Sequence, residues 1–379
     1  MKIAVNTRLL IPGKLEGIGW FTFQTFRRMA LDHPEAEFTF IFDRPYSQEF
    51  VFAPNVNPVV LYPQARHPVL YYLFFEHAIP RYLKKHPHDL FISPDGMLSL
   101  NYPGKQIPVC HDLNFIHHPE NLPWLSSQYY NKMFPRYIRQ ATRVATVSEY
   151  SKDDIVKTFG YPDQKVDVVY NGAHQVFQPI GQALQQQVRR RYTGGDPYFV
   201  YVGALHKRKN IENMLLAFDA FRNARQSAYK LLIVGETMFG SGSIRKAYAS
   251  MHHRQDVIFV GRLFEEALRD VIASARGLLL VSYFEGFGIP ILEAMKCEVP
   301  VITSQTTSMP EVAGGAAALV DPDSVESISQ AMTRVAFDDH LVEEMILMGR
   351  EVSQRFSWQK TADLMWQCVQ KSLQQTDTQ

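Results

Sequence analysis

Two glutamates, Glu285 and Glu293, flank a Gly-Phe-Gly turn in the segment SYFEGFGIPILEAM, which covers residues 282–295. The preceding apolar run GLLLVS predicts a buried strand that brings Glu285 to the carboxyl edge of a sheet. Gly286 and Gly288 allow a tight turn and a close approach of the backbone to a ligand. Carboxylates accept hydrogen bonds from sugar hydroxyls, and the amide groups of a helix start attract phosphate. The segment therefore predicts a site for a phosphate flanked by two hydroxyl-binding groups.

The residues after this turn predict the start of a helix. Pro290 suits the first helical position, and the run ILEAMKC then places Glu293 in the first turn. A structural alternative exists for each acid alone, since a first-turn glutamate improves a helix start and Glu285 could be solvated. Both acids together with the turn favour the ligand site.

A second strand-to-helix loop carries an unusual density of cations. In YVGALHKRKNIENML, residues 201–215, a predicted strand ends at Gly203, and His206–Lys209 precede a helix with Asn210 as its predicted N-cap. Cations at a helix N-terminus oppose the helix dipole. The loop therefore predicts an anionic partner such as a diphosphate, and a solvated basic loop is the alternative.

Three other loops contain candidate residues for ligand contact. Gly17 and Gly19 lie between the first predicted strand and the first predicted helix, but neither GxxxxGK[ST] nor GxGxxG is present, so a plain flexible loop is an equal alternative. His111 directly follows a predicted strand and is a candidate for hydroxyl binding or proton transfer, or a buried structural histidine. The acids of DPDS, residues 321–324, precede an amphipathic helix and indicate a turn with an N-cap, so no metal is expected.

Composition bounds the class of protein. The chain has 379 residues with 39 Lys and Arg against 38 Asp and Glu, and this balance gives no support to nucleic acid as a partner. Three scattered cysteines, Cys110, Cys297 and Cys368, argue for a reducing compartment and against zinc. With neither a signal peptide pattern nor an apolar run of membrane-spanning length, a cytoplasmic location is expected. The run at 69–75 predicts a buried helix with a basic exposed end, with a membrane-contacting surface as the alternative.

Strand-like and helix-like runs alternate along the chain, which predicts an α/β fold with two doubly wound, Rossmann-like parallel sheets. The segment at 172–197 has no strand pattern and marks the break between the two units, while 356–373 predicts an amphipathic helix followed by a disordered tail. In such sheets the functional residues are expected in the loops after the strands. The predicted strands are 2–6, 38–42, 89–93, 106–110, 143–147, 198–203, 230–235, 257–261, 277–282 and 299–303, and two clear helices are 211–224 and 265–275.

The motifs resemble those of the retaining glycosyltransferases of family 4, which have the GT-B fold. The most specific match is the E-x7-E pattern from Glu285 to Glu293, and VGALHKRKN, FVGRL, VPVITS, SMPEVAGGAAALVDP and RFSWQKTA surround it. In the first half GIGWF, VCHDL, TVSEYSK and VVYNG match. The resemblance implies an acceptor-side domain at 1–178, a donor-binding domain at 179–355 facing it across a cleft, and a C-terminal helix at 356–379 that packs back on the first domain.

The resemblance also implies roles for single residues. Glu285 would bind hydroxyls of the donor sugar, Lys209 would neutralise the diphosphate, and His111 would contact the sugar near the reaction centre. Glu293 would bind the ribose. The resemblance implies that residues 261–263 flank the base and that Phe287 and Gly288 present backbone amides to the donor. The further donor-binding positions that it implies are Gly17, Gly19, Gly203, Arg208, Gly261, Arg262, Leu263, Gly286, Phe287, Gly288 and Ile289. Such enzymes work without a metal or another cofactor.

Two positions depart from the family pattern. Many relatives have a phosphate-binding arginine where this chain has Ala204. Arg208 is a candidate replacement, or it points elsewhere. Relatives usually have glycine before VPVI, where this chain has Glu298, and the sequence offers no reason for that change.

The predicted function is transfer of a mannose- or glucose-type hexose from a GDP- or UDP-activated donor to an acceptor hydroxyl, with retained configuration, in synthesis of cell-surface polysaccharide or glycolipid. The acceptor is expected to be a carbohydrate or a lipid-linked saccharide, which favours a peripheral contact with the inner face of the membrane. Two alternatives stay open at this point. A nucleotide-sugar epimerase would turn over the donor without an acceptor, and a non-catalytic sugar-binding protein would not need the cationic loop.

Overall fold

The computed structural model describes residues 1–225, 227–236 and 242–374. Within them the chain forms two compact units, one of Met1–Gly172 with the C-terminal segment from Trp358, and one of Ala173–Ser357. Each unit is built on a parallel sheet with helices between its strands. The predicted α/β class with two Rossmann-like parallel sheets is confirmed. The assignment of the units to acceptor and donor stays a prediction.

The described part of the first unit has a seven-stranded sheet in the order β3-β2-β1-β4-β5-β6-β7. Every pairing is parallel, and Val5 in β1 pairs with Phe40 on one side and Ile92 on the other. The strand order reverses between β1 and β4, which is the point where such sheets bind ligands. The strands are β1 (Lys2–Asn6), β2 (Glu37–Phe42), β3 (Val56–Val60), β4 (Leu90–Ser93), β5 (Gln106–Cys110), β6 (Val144–Thr146) and β7 (Val166–Val168).

The helices of this unit cover both faces of the sheet's apolar core, in which Phe38, Phe40 and Phe91 are fully buried. One turn of π-helix, Phe74–Ala78, joins the second and third helices. The helices are α1 (Gly17–Asp32), α2 (Pro68–Leu73), α3 (Ile79–Lys85), α4 (Asn114–His117), α5 (Trp124–Gln140) and α6 (Glu149–Phe159).

The described part of the second unit has a six-stranded parallel sheet in the order β10-β9-β8-β11-β12-β13. Here the order reverses between β8 and β11. The strands are β8 (Tyr198–Val202), β9 (Lys230–Val234), β10 (Val257–Gly261), β11 (Gly277–Leu280), β12 (Val301–Ser304) and β13 (Ala317–Val320). The helices are α7 (Gln182–Thr193), α8 (Ile211–Ala224), α9 (Gly242–Ser250), α10 (Glu265–Ala273), α11 (Ile289–Lys296), α12 (Met309–Ala313), α13 (Val325–Phe337) and α14 (Asp339–Gln354).

The last helix, α15 (Trp358–Gln374), belongs to the first unit. Its predicted apolar face is buried, and the Trp366 ring stacks on His33, the residue directly after α1, with centroids 3.6 Å apart. Thr361 Oγ1 donates to the Tyr170 carbonyl at 2.6 Å. The tail predicted to be disordered lies, from residue 375 onward, outside the described residues.

Three strands, β3, β7 and β13, were not predicted, and all three lie at sheet edges. Edge strands are half-exposed, so they lack the continuous apolar run of a central parallel strand. β3 also contains Pro58, which removes a backbone donor and is tolerated at an edge. The segment around 172–197 indeed contains no described strand, but it does contain α7.

The ends of β8 and β9 approach so closely that position 235 requires glycine. Gly235 has φ +154°, and a Cβ built there would overlap the carbonyl oxygen of Gly203. The Gly235 amide donates to the Gly261 carbonyl at 2.9 Å, so the backbone there is also held by β10. This contact fixes the edge from which the loops after β8 and β10 begin.

Gly235→Ala should lower the melting temperature of the protein strongly, because both the overlap and the backbone conformation oppose a side chain. Strain of this kind costs about 1–3 kcal/mol, and each kcal/mol corresponds to about 2–4 °C in a domain of this size. Gly181→Ala is the matched control, since a Cβ there meets no atom within 4 Å. Equal melting of the two variants in thermal denaturation would contradict the close approach.

Candidate functional site

The second unit brings Glu285 and Lys209 together at its switch point. Lys209 follows β8 and Glu285 follows β11, the two neighbouring strands between which the order reverses. Lys209 Nζ lies 2.5 Å from Glu285 Oε1, and the Ser282 hydroxyl donates to the same oxygen at 2.7 Å. Arg208 Nη1 donates to Glu285 Oε2 at 3.1 Å. Two residues predicted to share a site therefore do so.

The local backbone explains why the cations point at this carboxylate. A single 3₁₀ turn, Lys207–Lys209, leads into Asn210, whose φ of 56° is left-handed. Asn210 occupies the N-cap position of α8, but its side chain does not cap the helix, contrary to the prediction. Instead, its Nδ2 donates to the carbonyls of Val281 and Pro322 at 3.0 and 2.7 Å. These bonds tie the loop after β8 to the end of β11.

Arg208 forms further hydrogen bonds between the loop after β8 and the segment after β11. Its Nη1 also donates to the Phe284 carbonyl at 2.7 Å, and its own carbonyl accepts from the Tyr283 amide at 3.0 Å. The Ala204 carbonyl, at the position where relatives carry an arginine, accepts from the Tyr201 hydroxyl at 2.9 Å. Arg208 thus supplies charge beside Lys209, while its role as a phosphate ligand stays a prediction.

Glu285 is charged although it is only 6% exposed. Burial acts to raise the pKa of its carboxyl, but Lys209 and Arg208 more than offset this and hold the pKa at about 2. The backbone is fixed as well, because the Glu285 amide donates to Thr307 Oγ1 at 3.3 Å and the Ser308 hydroxyl donates to its carbonyl at 2.9 Å. The result is a rigid, buried anion between two cations.

The turn after Glu285 differs in one respect from the prediction. Gly288 has φ +92° and precedes the helix, so α11 begins at Ile289 and Pro290 is its second residue. Glu293 is the fifth residue, and the expectation that it lies in the first turn is wrong. Gly286 is buried, and the Phe287 ring packs edge-on against Phe356 with centroids 5.7 Å apart.

Glu293 has the opposite environment to Glu285. Its side chain is half-buried and makes no hydrogen bond or ion pair with any residue in the described part of the chain. Burial raises the pKa of its carboxyl to about 8. A carboxyl that is largely protonated near neutral pH can both donate and accept a hydrogen bond, which suits contact with a hydroxyl.

The remaining second-unit positions that were predicted to bind the donor lie at the same sheet edge. Gly203 has φ +153° and its amide donates to the Val234 carbonyl at 2.9 Å. Gly261, with φ +80°, ends β10. The Arg262 guanidinium lies 4.6 Å from the centroid of the Phe264 ring, and Leu263 is half-buried.

In the first unit His111 directly follows β5, as predicted. Its Nε2 lies 2.8 Å from the Pro94 carbonyl, and because a carbonyl only accepts, Nε2 carries the hydrogen. The Phe21 ring packs edge-on against the imidazole, with centroids 5.0 Å apart. Burial lowers the pKa of His111, which favours the neutral ring with Nδ1 as an acceptor. It is therefore suited to accept a bond from a hydroxyl through Nδ1.

The two glycines of the first loop are placed differently from the prediction. Gly17 and Gly19 are the first and third residues of α1, not residues of the loop before it. A Cβ at Gly17 would meet no atom within 4 Å, whereas at Gly19 it would lie 3.1 Å from the Leu9 carbonyl oxygen. Gly19 is thus needed for packing of the helix start, and contact of either glycine with a ligand stays a prediction.

A buried ion pair at the switch point of the first unit was missed. Arg8, two residues beyond β1, places Nε 2.5 Å from Asp95 Oδ2, two residues beyond β4. The Ser93 hydroxyl donates to Asp95 Oδ1 at 2.9 Å, and the Arg8 guanidinium lies 5.2 Å from the centroid of Tyr71. The pair could have been predicted from the sequence, because Arg8 and Asp95 closely follow the predicted strands at 2–6 and 89–93. Charged residues just beyond adjacent parallel strands meet at one edge of the sheet.

No group of three His, Cys, Asp or Glu side chains able to hold a metal ion occurs among the described residues. In DPDS the Ser324 hydroxyl accepts from the Ser327 amide at 3.0 Å and caps α13. The acids of this segment belong to a helix-start turn, since Asp321 Oδ1 accepts from the Asp323 amide at 2.9 Å.

The structure accounts for the family departure at Glu298. Its φ of 59° is left-handed, the conformation that favours glycine. Its Oε1 lies 2.8 Å from Arg350 Nε on α14. Glycine would adopt this backbone conformation without strain, and the ion pair with Arg350 offsets part of the strain that glutamate has there.

Glu293→Gln should raise the melting temperature more at pH 8 than at pH 5. The folded protein holds this carboxyl protonated up to about pH 8, whereas the unfolded chain loses the proton near pH 4.3. Between these values the native state binds more protons, so stability falls as pH rises, and glutamine removes that fall. Glu351→Gln, at an exposed position of α14, is the control. Equal shifts for Glu293→Gln at both pH values would contradict the protonated carboxyl.

Two protein families match consecutive parts of the chain. The model for Glycosyltransferase Family 4 matches residues 31–174, and the model for Glycosyl transferases group 1 matches residues 185–352. O-antigen chain mannosyltransferase B of Escherichia coli is 28% identical over 256 residues, 67% of each chain. The serotype-specific mannosyltransferase WbdA of Escherichia coli is 26% identical over 271 residues, 70% of this chain but 33% of its own. The chain therefore spans about a third of WbdA.

Solved structures show the same fold at low sequence identity. Sucrose-phosphate synthase from Thermosynechococcus elongatus superimposes with a TM-score of 0.76 at 18% identity, covering 98% of both chains. WaaG, a glycosyltransferase involved in lipopolysaccharide biosynthesis, gives a TM-score of 0.71 at 15% identity, covering 95% of this chain and 97% of its own. With both family models matched in order and the fold shared along nearly its whole length, the chain belongs to the family 4 glycosyltransferases of GT-B fold.

Proposed function

We propose that this protein transfers a mannose- or glucose-type hexose from a nucleoside diphosphate sugar to a hydroxyl of a saccharide acceptor, with retained anomeric configuration and without a metal ion. The observation that carries the proposal is the buried Glu285 carboxylate between Lys209 and Arg208 at the switch point of the second unit. A diphosphate needs fixed positive charge and a sugar needs hydrogen-bond acceptors, and this cluster offers both in one place.

The reaction depends on charge that develops on the leaving group. As the bond from the sugar C1 to the β-phosphate oxygen breaks, negative charge builds on that phosphate. Lys209 and Arg208 are positioned to stabilise it, and preorganised charge of this kind is often the largest contribution to catalysis. Glu285 holds both cations in place and accepts from hydroxyls of the donor sugar.

The acceptor oxygen forms its new bond to C1 on the face from which the phosphate leaves. Its proton passes to the departing phosphate oxygen, so no protein base is required and the configuration at C1 is retained. His111 contributes Nδ1 as an acceptor toward the sugar. Glu293, largely protonated, contacts the ribose hydroxyls of the donor.

The names of two relatives and one solved structure support the proposed substrate class. O-antigen chain mannosyltransferase B of Escherichia coli is named for mannose transfer and for the O-antigen chain. The same words name O-antigen chain mannosyltransferase RfbU of Salmonella typhimurium, which is 27% identical over 231 residues, 61% of this chain and 60% of its own. HepE of Anabaena has been solved with UDP-glucose, and it matches at 16% identity with a TM-score of 0.72, covering 98% of this chain and 100% of its own. We therefore favour a growing surface polysaccharide or glycolipid as the acceptor.

Lys209→Ala and Glu285→Gln should each lower kcat/KM for hexose transfer by about 10- to 150-fold. Loss of one hydrogen bond to a charged group costs about 1.5–3 kcal/mol, and about 1.4 kcal/mol corresponds to a factor of ten in rate. Lys246→Ala, at an exposed position of α9, is the control for loss of a lysine. Activity is measured as transfer of radiolabelled hexose, and melting curves verify folding. Folded variants with wild-type turnover would remove both roles.

The same assay separates the two alternative functions. An epimerase converts the nucleotide sugar in the absence of acceptor, and a binding protein releases no nucleoside diphosphate at all. Slow hydrolysis of the donor without acceptor and fast release of nucleoside diphosphate with acceptor are expected for a transferase.

We place the enzyme at the inner face of a membrane through an apolar surface formed by Val69, Tyr72 and Leu73 of α2 with Trp124 and Leu125 of α5. Trp124 is 74% exposed and Val69 is 56% exposed. The Tyr71 and Tyr129 rings, 5.6 Å apart, hold the two helices together. Arg81, Lys84 and Lys85 are exposed on the neighbouring α3, so basic charge accompanies the apolar side chains. Among the described residues no helix is long and apolar enough to cross a membrane.

Trp124→Ala should weaken binding to vesicles that contain anionic lipid by about tenfold in co-sedimentation. Burial of a large apolar side chain is worth about 1.5–3 kcal/mol, and added salt should weaken binding further because the basic residues are screened. Leu347→Ala on α14, an apolar position that is 59% exposed in the second unit, is the matched control. Equal binding of both variants, or no vesicle binding by the wild type, would contradict this surface.

A further inference from the structure

The second unit has a pocket of about 460 Å³ where the C-terminal ends of α11 and α14 meet. The two helices are in close contact there, because a Cβ built at Gly349 of α14 would lie 3.2 Å from Met295 Cγ of α11. Lys296, which lines the pocket, is the last of the eight residues of α11. At 1.5 Å per residue it therefore lies about 10 Å along the helix from the turn at Gly288. The pocket is separate from the cluster of Glu285, Lys209 and Arg208, none of which lines it.

The pocket combines an apolar base with a weakly positive rim. The apolar side chains of its base are buried, and they are Phe177, Met295 and Phe356. Three charged side chains also line the pocket, and two of them form an ion pair, since Arg350 Nε lies 2.8 Å from Glu298 Oε1. The third is Lys296, which leaves the rim with one net positive charge.

Lys296 lacks a counter-ion although its side chain is half-buried. Within the described part of the chain its ammonium makes no hydrogen bond or ion pair. Burial lowers the pKa of this ammonium, so its charge is kept at a cost that an anion would offset. The end of α11 is already closed by backbone groups, since the Val299 amide donates to the Ala294 carbonyl at 2.9 Å. The lysine is therefore available to a ligand.

The ion pair beside this lysine is held on a strained backbone. Glu298 has φ 59°, a conformation that non-glycine residues adopt only rarely. Strain of this kind concentrates at functional positions. The strained glutamate and the lysine without a counter-ion border the same pocket, which favours a ligand site over two unrelated surface features.

We propose that this pocket binds a small carboxylate with an apolar body, whose carboxylate contacts Lys296 and whose body packs on the phenylalanine and methionine side chains. A carboxylate accepts charge-assisted hydrogen bonds from an ammonium. Its single charge matches the net charge of the rim, whereas a doubly charged phosphate would leave one negative charge without a partner. Pockets of about 300–1,000 Å³ with an apolar lining and a few polar groups are typical of small-molecule sites. This site does not depend on the proposed function.

The test measures binding of 2-naphthoate to the full-length protein by calorimetry. 2-Naphthamide, its neutral isostere, and acetate, which has the charge without the apolar body, are the comparison ligands. The wild type should bind 2-naphthoate at least about tenfold tighter than either, because a charged hydrogen bond and a large apolar contact are each worth about that factor. Failure to bind 2-naphthoate, or equal affinity for 2-naphthamide, would overturn the proposal.

Two variants of the rim should act in opposite directions. Lys296→Met should lower the affinity for 2-naphthoate about tenfold and leave that for 2-naphthamide unchanged, because it removes the charge and keeps an apolar stem. Glu298→Gly should bind 2-naphthoate more tightly, because it leaves Arg350 without its ion pair and raises the net charge of the rim. Glycine also suits φ 59°, so this variant should stay folded. Lys246→Met, at an exposed position of α9, is the matched control and should change neither affinity.

Lys209→Ala tests whether the ligand binds elsewhere. It should leave the affinity for 2-naphthoate unchanged, because Lys209 does not line the pocket. If the affinity falls in folded Lys209→Ala but not in Lys296→Met, the carboxylate binds at the Glu285 side chain's cations and the proposed site is wrong. Weaker binding by folded Glu298→Gly leads to the same conclusion. Neither result affects the proposed function, which is tested by hexose transfer.

Discussion

A buried carboxylate cannot stay charged without partners, and the candidate site of this protein is built on that constraint. Glu285 is almost inaccessible to water, so its charge depends on Lys209 Nζ at 2.5 Å and Arg208 Nη1 at 3.1 Å. Removing one member of such a cluster leaves an unpaired buried charge, which is far more costly than losing a surface ion pair. The cluster therefore fixes the loops after β8 and β11 relative to each other. Asn210 reinforces this by bonding the Val281 carbonyl.

The first unit contains an equivalent buried ion pair, formed by different residues. Arg8 and Asp95 form a buried pair just beyond β1 and β4, the strands between which the order reverses. In both units a cation from one strand end meets an acid from the neighbouring strand end. The divergence of the two following helices at a switch point leaves a crevice there. Polar groups can occupy that crevice only if they form hydrogen bonds or ion pairs with one another or with a ligand.

The two glutamates of the E-x7-E pattern have opposite protonation states, which separates their roles. Paired cations hold the pKa of Glu285 at about 2, so it is an acceptor and a source of negative charge. Burial without a described partner raises the pKa of Glu293 to about 8, so it can donate as well. The diphosphate binding proposed here gains from this difference, because only one of the two acids adds negative charge near neutral pH.

The amino-acid sequence alone predicts the α/β class, the central strands and the positions of Lys209 and Glu285. Central parallel strands are buried on both faces and read as continuous apolar runs, and their loops carry the functional residues. The edge strands β3, β7 and β13 were missed because half-exposed strands lack that pattern. The helix starts at Gly17 and Ile289 were misplaced because helix ends depend on one or two backbone conformations, such as φ +92° at Gly288.

Which charged side chains are in contact depends on the three-dimensional fold. Arg8 and Asp95 lie 87 residues apart in the chain, and Lys209 and Glu285 lie 76 apart, yet each pair is in contact because parallel strands end at one edge. The protonation states of Glu285 and Glu293 cannot be predicted from the sequence either, since they depend on burial and on partners from other loops. Composition and spacing name the residue types of a site, whereas the three-dimensional pairing sets their charge.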